Sequence, residues 1–479
     1  MNPASGPVTG GTSVEVTGAN FASGATVDFG SVPATNVTVV SLIEITADSP
    51  AQAAGTVNVT VTTPGGTSST STADQFTYQA AYTPLAPTRI CDTRSGNPSS
   101  LSGPAAQCNG KTLAPGKVLD VTVENLAGVP ASGVSAVALN VTAINPAGNG
   151  YLTVYPAGEA APMASNLNFN SRDVVANLVE VGIGAGGQVA IVSNAATDIV
   201  VDMEGYYSVA SSPGAGYYDP TSPARICDTR SGNPSSLSGP VAQCNGHTLS
   251  TGTTLKVAIG GVSPVPASGV SAVALNVTAV DFTNNGYLTV FPAGGNPPVA
   301  SNVNFVKGQG AVPNAVVVPL GSSGDIEIFG NARTDIVIDV VGWYTSRGGT
   351  GSQFNAMPAP VRICDTRPGN PSSLSGSAAQ CNGHAMASGT TAAIRVAGVG
   401  GVPSGAKAVA VNVTVTNTPT SGYLTAFPGG TQPTASNLNW TRGETVPNLA
   451  IAELSPSGTL SLYCSAGTDV IVDVLGWYQ

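Results

Sequence analysis

Apolar and polar residues alternate along most of this chain, and a period of two predicts short β-strands throughout. In the first 80 residues the strands are Ser13-Val-Glu-Val-Thr17, Ala25-Thr-Val-Asp-Phe29, Val37-Thr-Val-Val40, Glu44-Ile-Thr-Ala47, Thr56-Val-Asn-Val-Thr-Val-Thr62 and Gln75-Phe-Thr-Tyr78. Gly, Pro and Ser turns separate them, as expected for an immunoglobulin-like sandwich. Farther along, Ala136-Val-Ala-Leu-Asn-Val-Thr142 reads as a more apolar strand, with counterparts at 272–278 and 408–414. No helical apolar period persists, so the predicted class is all-β: four tandem β-sandwich domains at 1–80, 81–208, 217–346 and 354–479.

The last three are copies of one unit. Arg-Ile-Cys-Asp-Thr-Arg begins at Arg89, Arg225 and Arg362 and leads each time into Gly-Asn-Pro-Ser-Ser-Leu-Ser-Gly and Ala-Gln-Cys-Asn-Gly. The spacing of about 136 residues is that of a whole domain rather than a solenoid rung. Eight to ten strands in a sandwich or jelly roll fit that length, by about the usual strand and turn sizes. The stretches 208–216 and 346–353 read as short flexible linkers. Four such domains end to end predict a rod on the order of 140 Å.

Each copy carries two cysteines seventeen residues apart: Cys91 and Cys108, Cys227 and Cys244, Cys364 and Cys381. Zinc sites use shorter spacings and more ligands, so three disulfides are expected, and with them an oxidising, extracellular location. Cys464 is left over, at a strand end, either as a tolerated turn residue or as an intermolecular bridge. The amino terminus lacks a basic and apolar signal segment, so export implies a leader missing from this sequence. No apolar run is long enough to span a membrane. Only 9% of the residues are charged and the net charge is −10, without a basic cluster, which excludes nucleic acid as a partner.

At the Gly-Gly-Thr opening, Gly18-x-x-Phe21, Val27-x-Phe-Gly30, the approach to Pro50 and Phe76-x-Tyr78, residues 1–79 resemble the IPT/TIG family. That resemblance implies an immunoglobulin-like spacer or interaction module. The three copies resemble a repeat domain of secreted and cell-surface proteins of actinobacteria and related bacteria. The likeness rests on Arg-x-x-Asp-Thr-Arg, Leu-Asn-Val-Thr, Gly-Tyr-Leu-Thr, Ser-Asn-Leu-Asn-Phe and the closing Gly-Tyr/Trp-Tyr. It implies location and architecture and no activity.

Catalytic chemistry is poorly supplied. The two histidines, His247 and His384, sit in a Gly-rich loop, and no triad, zinc-protease or nucleophile-elbow motif occurs. The aspartate pairs Asp198/Asp202, Asp335/Asp339 and Asp469/Asp473 lie about 13 Å apart along one strand, too far for a glycosidase pair. With Arg89, Asp92 and Arg94, Arg225, Asp228 and Arg230, and Arg362, Asp365 and Arg367, they predict a structural ion-pair cluster joining first and last strands. A calcium site at Asp198 or Asp202 is the alternative. No cofactor and no metal are expected.

Recognition is better supplied. Tyr151 and Tyr155, Tyr287 and Phe291, and Tyr423 and Phe427 share one face of a strand, and Asn166 and Asn168, Asn302 and Asn304, and Asn437 and Asn439 alternate with apolar residues. Rings beside amides suit sugars, unless the rings are core and the amides bond backbone. The glycosylation-like Asn36, Asn58, Asn140, Asn276 and Asn412 read as structural. The resulting expectation is a non-catalytic extracellular protein for adhesion or carbohydrate binding, its partner a cell-surface or environmental polysaccharide or other copies of itself. A filament subunit and the accessory part of a secreted hydrolase are the alternatives.

Overall fold

The computed structural model describes residues 1–8, 10–52, 55–208, 215–346 and 351–479; the expected linkers fall largely on 209–214 and 347–350, outside the described residues. The chain is almost entirely β, as the alternation predicts.

The first sandwich packs the sheet Ser13–Thr17, Glu44–Asp48, Thr35–Ser41 on a larger one built around Gly55–Thr63. Val14, Val16, Val27, Phe29, Ile45, Phe76 and Tyr78 are its interior, with Phe29 and Phe76 in edge-to-face contact at 5.0 Å. Its last strand, Gln75–Gln79, runs almost directly into the first strand of the first repeat, Ala81–Asp92.

Each repeat is an eight-stranded jelly roll. In the first, an inner sheet orders Ala81–Asp92, Asp198–Ser208, Val134–Ile144 and Val174–Gly182, and an outer sheet orders Val118–Thr122, Gln188–Ser193, Gly150–Pro156 and Leu167–Phe169. All pairings are antiparallel, and the other two repeats have the same order. A disulfide closes the loop behind the first strand in each: Cys91–Cys108, Cys227–Cys244 and Cys364–Cys381. Replacing Cys91 and Cys108 by alanine is expected to cost about 3 kcal/mol in denaturant unfolding, the loop-closure value for this separation. A midpoint equal to wild type would refute that.

The repeats are not strung end to end; they close into a ring about a pseudo-threefold axis. The central inner-sheet strands, Val134–Ile144 and Asp198–Ser208 in the first repeat, are buried on both faces, because one face covers the outer sheet and the other meets the neighbouring repeats. Small residues line the axis (Ala136 and Ala138, Ala272 and Ala274, Ala408 and Ala410), so the three sheets approach closely. Asparagines lock the seams in cyclic order. The Asn140 amide donates to Ser301 O, that of Asn276 to Ser436 O, and that of Asn412 to Ser165 O. Asn314 donates to Asn140 at 2.8 Å, Asn448 to Asn276 at 3.0 Å and Asn177 to Asn412 at 2.9 Å. These amides are buried and satisfied, which makes each seam specific as well as tight.

One end of the axis is aromatic. Tyr82, Tyr207, Phe354, Tyr478, Tyr218 and Tyr344 form a closed hexagon of rings with neighbouring centroids 4.3 to 5.1 Å apart. The hydroxyls of Tyr207, Tyr344 and Tyr478 meet at 2.8 to 3.1 Å and donate to the Glu180 carboxylate. Gly205, Gly342 and Gly476 are needed here, since a Cβ would stand 2.3 Å from the hydroxyl of Tyr82 or Tyr218 or from the ring of Phe354. The amino-terminal sandwich joins at this end, where Ala80 bridges to Phe354.

Candidate functional site

The opposite half of the ring holds three equivalent clefts, one at each seam. Every cleft combines the arginine cluster of one repeat with the Gly-Tyr strand and the Pro-containing loop of the next. Arg89, Arg94 and Thr142 face Tyr287, Pro298 and Asn304 across about 550 Å³. Arg225, Arg230 and Thr278 face Tyr423, Pro433 and Asn439 across about 510 Å³. Arg362, Arg367 and Thr414 face Tyr151, Pro162 and Asn168 across about 310 Å³. Asn168, Asn304 and Asn439 also line a smaller axial depression of about 120 Å³, shared by all three repeats.

The arginine wall is built by the Arg-x-x-Asp-Thr-Arg segment. Arg89 pairs with Asp202 through Nε at 2.8 Å and a terminal nitrogen at 3.0 Å, joining first and last strands; Arg225–Asp339 and Arg362–Asp473 repeat this. Asp202 and Asp339 also accept from the backbone of Ser301 and Ser436 in the next repeat, at 3.3 and 3.4 Å, so the pair reaches across the seam. Burial pushes the carboxyls of Asp202, Asp339 and Asp473 above the usual range, although their arginines work against it.

Arg94 folds back on Asp92 at 2.7 and 3.0 Å, as Arg230 does on Asp228 and Arg367 on Asp365. Ser99, Ser235 and Ser372 from the repeated loop donate to the same carboxylates. Burial pushes these carboxyls up, but the arginine and serine hydrogen bonds outweigh it and hold them low. Those serines were not singled out from the sequence; their invariant place in the thrice-written loop was the available signal.

Asp198, Asp335 and Asp469 stand apart from the arginine pairs. They accept from the hydroxyls of Thr93, Thr229 and Thr366 at 3.0, 2.7 and 2.9 Å, because their place at the strand start aims them at the threonine of Asp-Thr-Arg. Among the described residues no three His, Cys, Asp or Glu side chains converge as a metal site would require.

The aromatic and amide candidates divide cleanly. Tyr151, Tyr287 and Tyr423 with Asn168, Asn304 and Asn439 line the clefts. Tyr155, Phe291 and Phe427 are buried farther along the same strands and are not among the described residues that line the clefts. Asn166, Asn302 and Asn437 are buried too: their oxygens accept from Val154, Val290 and Ala426 N, each at 2.7 Å, which stitches the loop to the strand. His247 and His384 are exposed on loops, and Cys464 is buried in the third repeat, its thiol pushed up to about 12 by burial. A buried neutral thiol does not suit an intermolecular bridge.

The amino-terminal sandwich lies at the far end of the axis from the axial depression. Residues 1–78 match the IPT/TIG domain. The IPT/TIG domain thus occupies the tyrosine end, and none of its described residues lines the three clefts. No curated protein matches the chain. Among solved structures, the tandem CBM22-1–CBM22-2 region of Xyn10C from Paenibacillus barcinonensis is 14% identical, covering 49% of this chain and 83% of its own, at a TM-score of 0.13. SGBP-B from a xyloglucan utilization locus of Bacteroides uniformis is 12% identical, covering 71% and 96%, at 0.14. A triple jelly roll protein of an archaeal virus turret is 9% identical, covering 77% and 92%, at 0.15. Likenesses this distant carry no weight for fold or function. Among the described residues no helix is long and apolar enough to cross a membrane.

Proposed function

We propose that this protein is a non-catalytic extracellular surface module that binds polysaccharide through its three seam clefts, in adhesion to a cell-surface or environmental glycan. One observation carries the reading: the same combination of tyrosine, asparagine, threonine and guanidinium recurs in three clefts of ligand-binding size. Tyr151 is 42% exposed, so its ring face is open to the C–H face of a sugar, while the amides and hydroxyls suit its oxygens. Among the described residues the second terminal nitrogens of Arg94, Arg230 and Arg367 have no protein partner and are free to donate. The cleft carboxylates are all engaged by arginine, which leaves no free acid–base pair for hydrolysis. Three disulfides and the IPT/TIG domain support an extracellular setting.

Three sites on one rigid ring give a polymer several points of attachment, and weak sites then gain by avidity. A glycan array followed by calorimetry on the intact chain tests this. The expected result is binding at up to three sites, with Tyr151, Tyr287 and Tyr423 all changed to Ala weakening it at least tenfold while the melting temperature holds. Binding that survives all three changes would move the site elsewhere.

A further inference from the structure

Each cleft holds two arginines and yet carries no net charge. Arg89 is matched by Asp202 and Arg94 by Asp92; Arg225 by Asp339 and Arg230 by Asp228; Arg362 by Asp473 and Arg367 by Asp365. Among the described residues no other Lys, Arg, Asp or Glu lines any of the three. We infer that the clefts select uncharged saccharide chains and reject acidic ones, an inference that rests on the carbohydrate reading above.

Two arginines in a cleft ordinarily announce a carboxylate, sulfate or phosphate ligand. Here each guanidinium spends two nitrogens on a buried carboxylate. A ligand anion drawn to the guanidinium would also be repelled by the carboxylate paired with it, which offsets much of the attraction. The surplus is the outer, terminal-nitrogen edge of Arg94, Arg230 or Arg367, whose charge is already balanced by the aspartate behind it, so it can donate to hydroxyls without the net positive charge that an anion site needs. The remaining polar groups (Asn168, Asn304 and Asn439, with Thr142, Thr278 and Thr414) are neutral hydroxyls and amides.

The rims are apolar where a pyranose presents its C–H face. Pro162 and Met163 border one cleft, Pro298 and Val299 the next, and Met163 and Val299 are 63% and 65% exposed. The third rim has Pro433 and Thr434. The chain's net charge of −10 adds a long-range penalty for any polyanion.

Calorimetric titration of the full chain distinguishes the outcomes. Neutral probes are cellohexaose, xylohexaose, mannohexaose and the hexamer of N-acetylglucosamine; acidic probes are hexagalacturonate and a heparin hexasaccharide. Each is run at 20 and 500 mM NaCl. The expected result is binding of at least one neutral probe, its Kd changing less than twofold with salt, and no detectable binding of either acid. Acidic probes binding as tightly as neutral ones, or with affinity that falls tenfold or more in salt, would overturn the selectivity while leaving the carbohydrate reading in place. Binding of neither class would sink both.

Discussion

Raising the pH from about 5 to about 8.5 is expected to lower the melting temperature by roughly 5 °C, because two buried glutamates must then ionise inside the ring. Glu180 and Glu204 belong to the first repeat alone. Strand pairing puts Val317 and Ile451 in the place of Glu180, and Val341 and Leu475 in that of Glu204. Burial pushes Glu180 up to about 7, against the lowering effect of the hydroxyls of Tyr207, Tyr478 and Tyr344. Burial, then repulsion from Asp202, pushes Glu204 up to about 8, although Val317 N and the Asn302 amide donate to it across the seam.

A carboxyl with a raised native value binds its proton more tightly folded than unfolded. Its stabilisation is therefore complete below the ordinary carboxylate range and is lost as pH climbs through about 7 and about 8. Several kcal/mol are at stake, on the order of 3 to 6 for the pair. Asp202, Asp339 and Asp473 shift the same way, while Asp92, Asp228 and Asp365 shift oppositely and matter at acid pH. Glu180→Gln with Glu204→Gln should flatten the profile between about pH 5 and about pH 8, the window those values define. A wild-type melting temperature that is level across it, or an unchanged slope in the double variant, would contradict the account.

Arg89→Ala is expected to cost about 3 to 5 kcal/mol, the usual loss when a buried carboxylate is left without its partner. Asp202 is fully buried, and the Arg89 side chain is only 11% exposed, so water cannot replace the guanidinium. The loss should spread beyond one repeat, since Asp202 also holds Ser301 of the second. Arg94→Ala should cost less: its side chain is 34% exposed, and Ser99 still donates to Asp92. Replacing Arg89 and Asp202 together by Met and Leu should recover most of the loss. Urea unfolding of the three variants gives the order directly. A cost under about 1 kcal/mol for Arg89→Ala would show the pair to be an ordinary surface bridge.

Much of this molecule could be read locally. Val14, Val16, Val27 and Phe29 alternate as the strands of the first sandwich require, and the thrice-written cysteine segment marks three units with one bridge each. The clefts were half legible. Tyr151 and Asn168 are recognisable as ring and amide, but nothing local places them opposite Arg362, which lies in another repeat. Nor does alternation separate Tyr151 from Tyr155: they share a face, and only the packing farther along the strand buries the second.

Alternation specifies the strands, the copied motif the repeat and the cysteine spacing the bridges, because each of these signals sits within one short stretch of chain. The tertiary structure alone decided that the repeats form a ring. An apolar face needs cover without naming what covers it, and the cross-seam partners of Asn140 and Tyr207, Asn314 and Tyr344, lie more than a hundred residues away. Glu180 shows the same limit: in its own strand it is an acid among valines, and only the meeting of three tyrosines at the axis makes its burial possible.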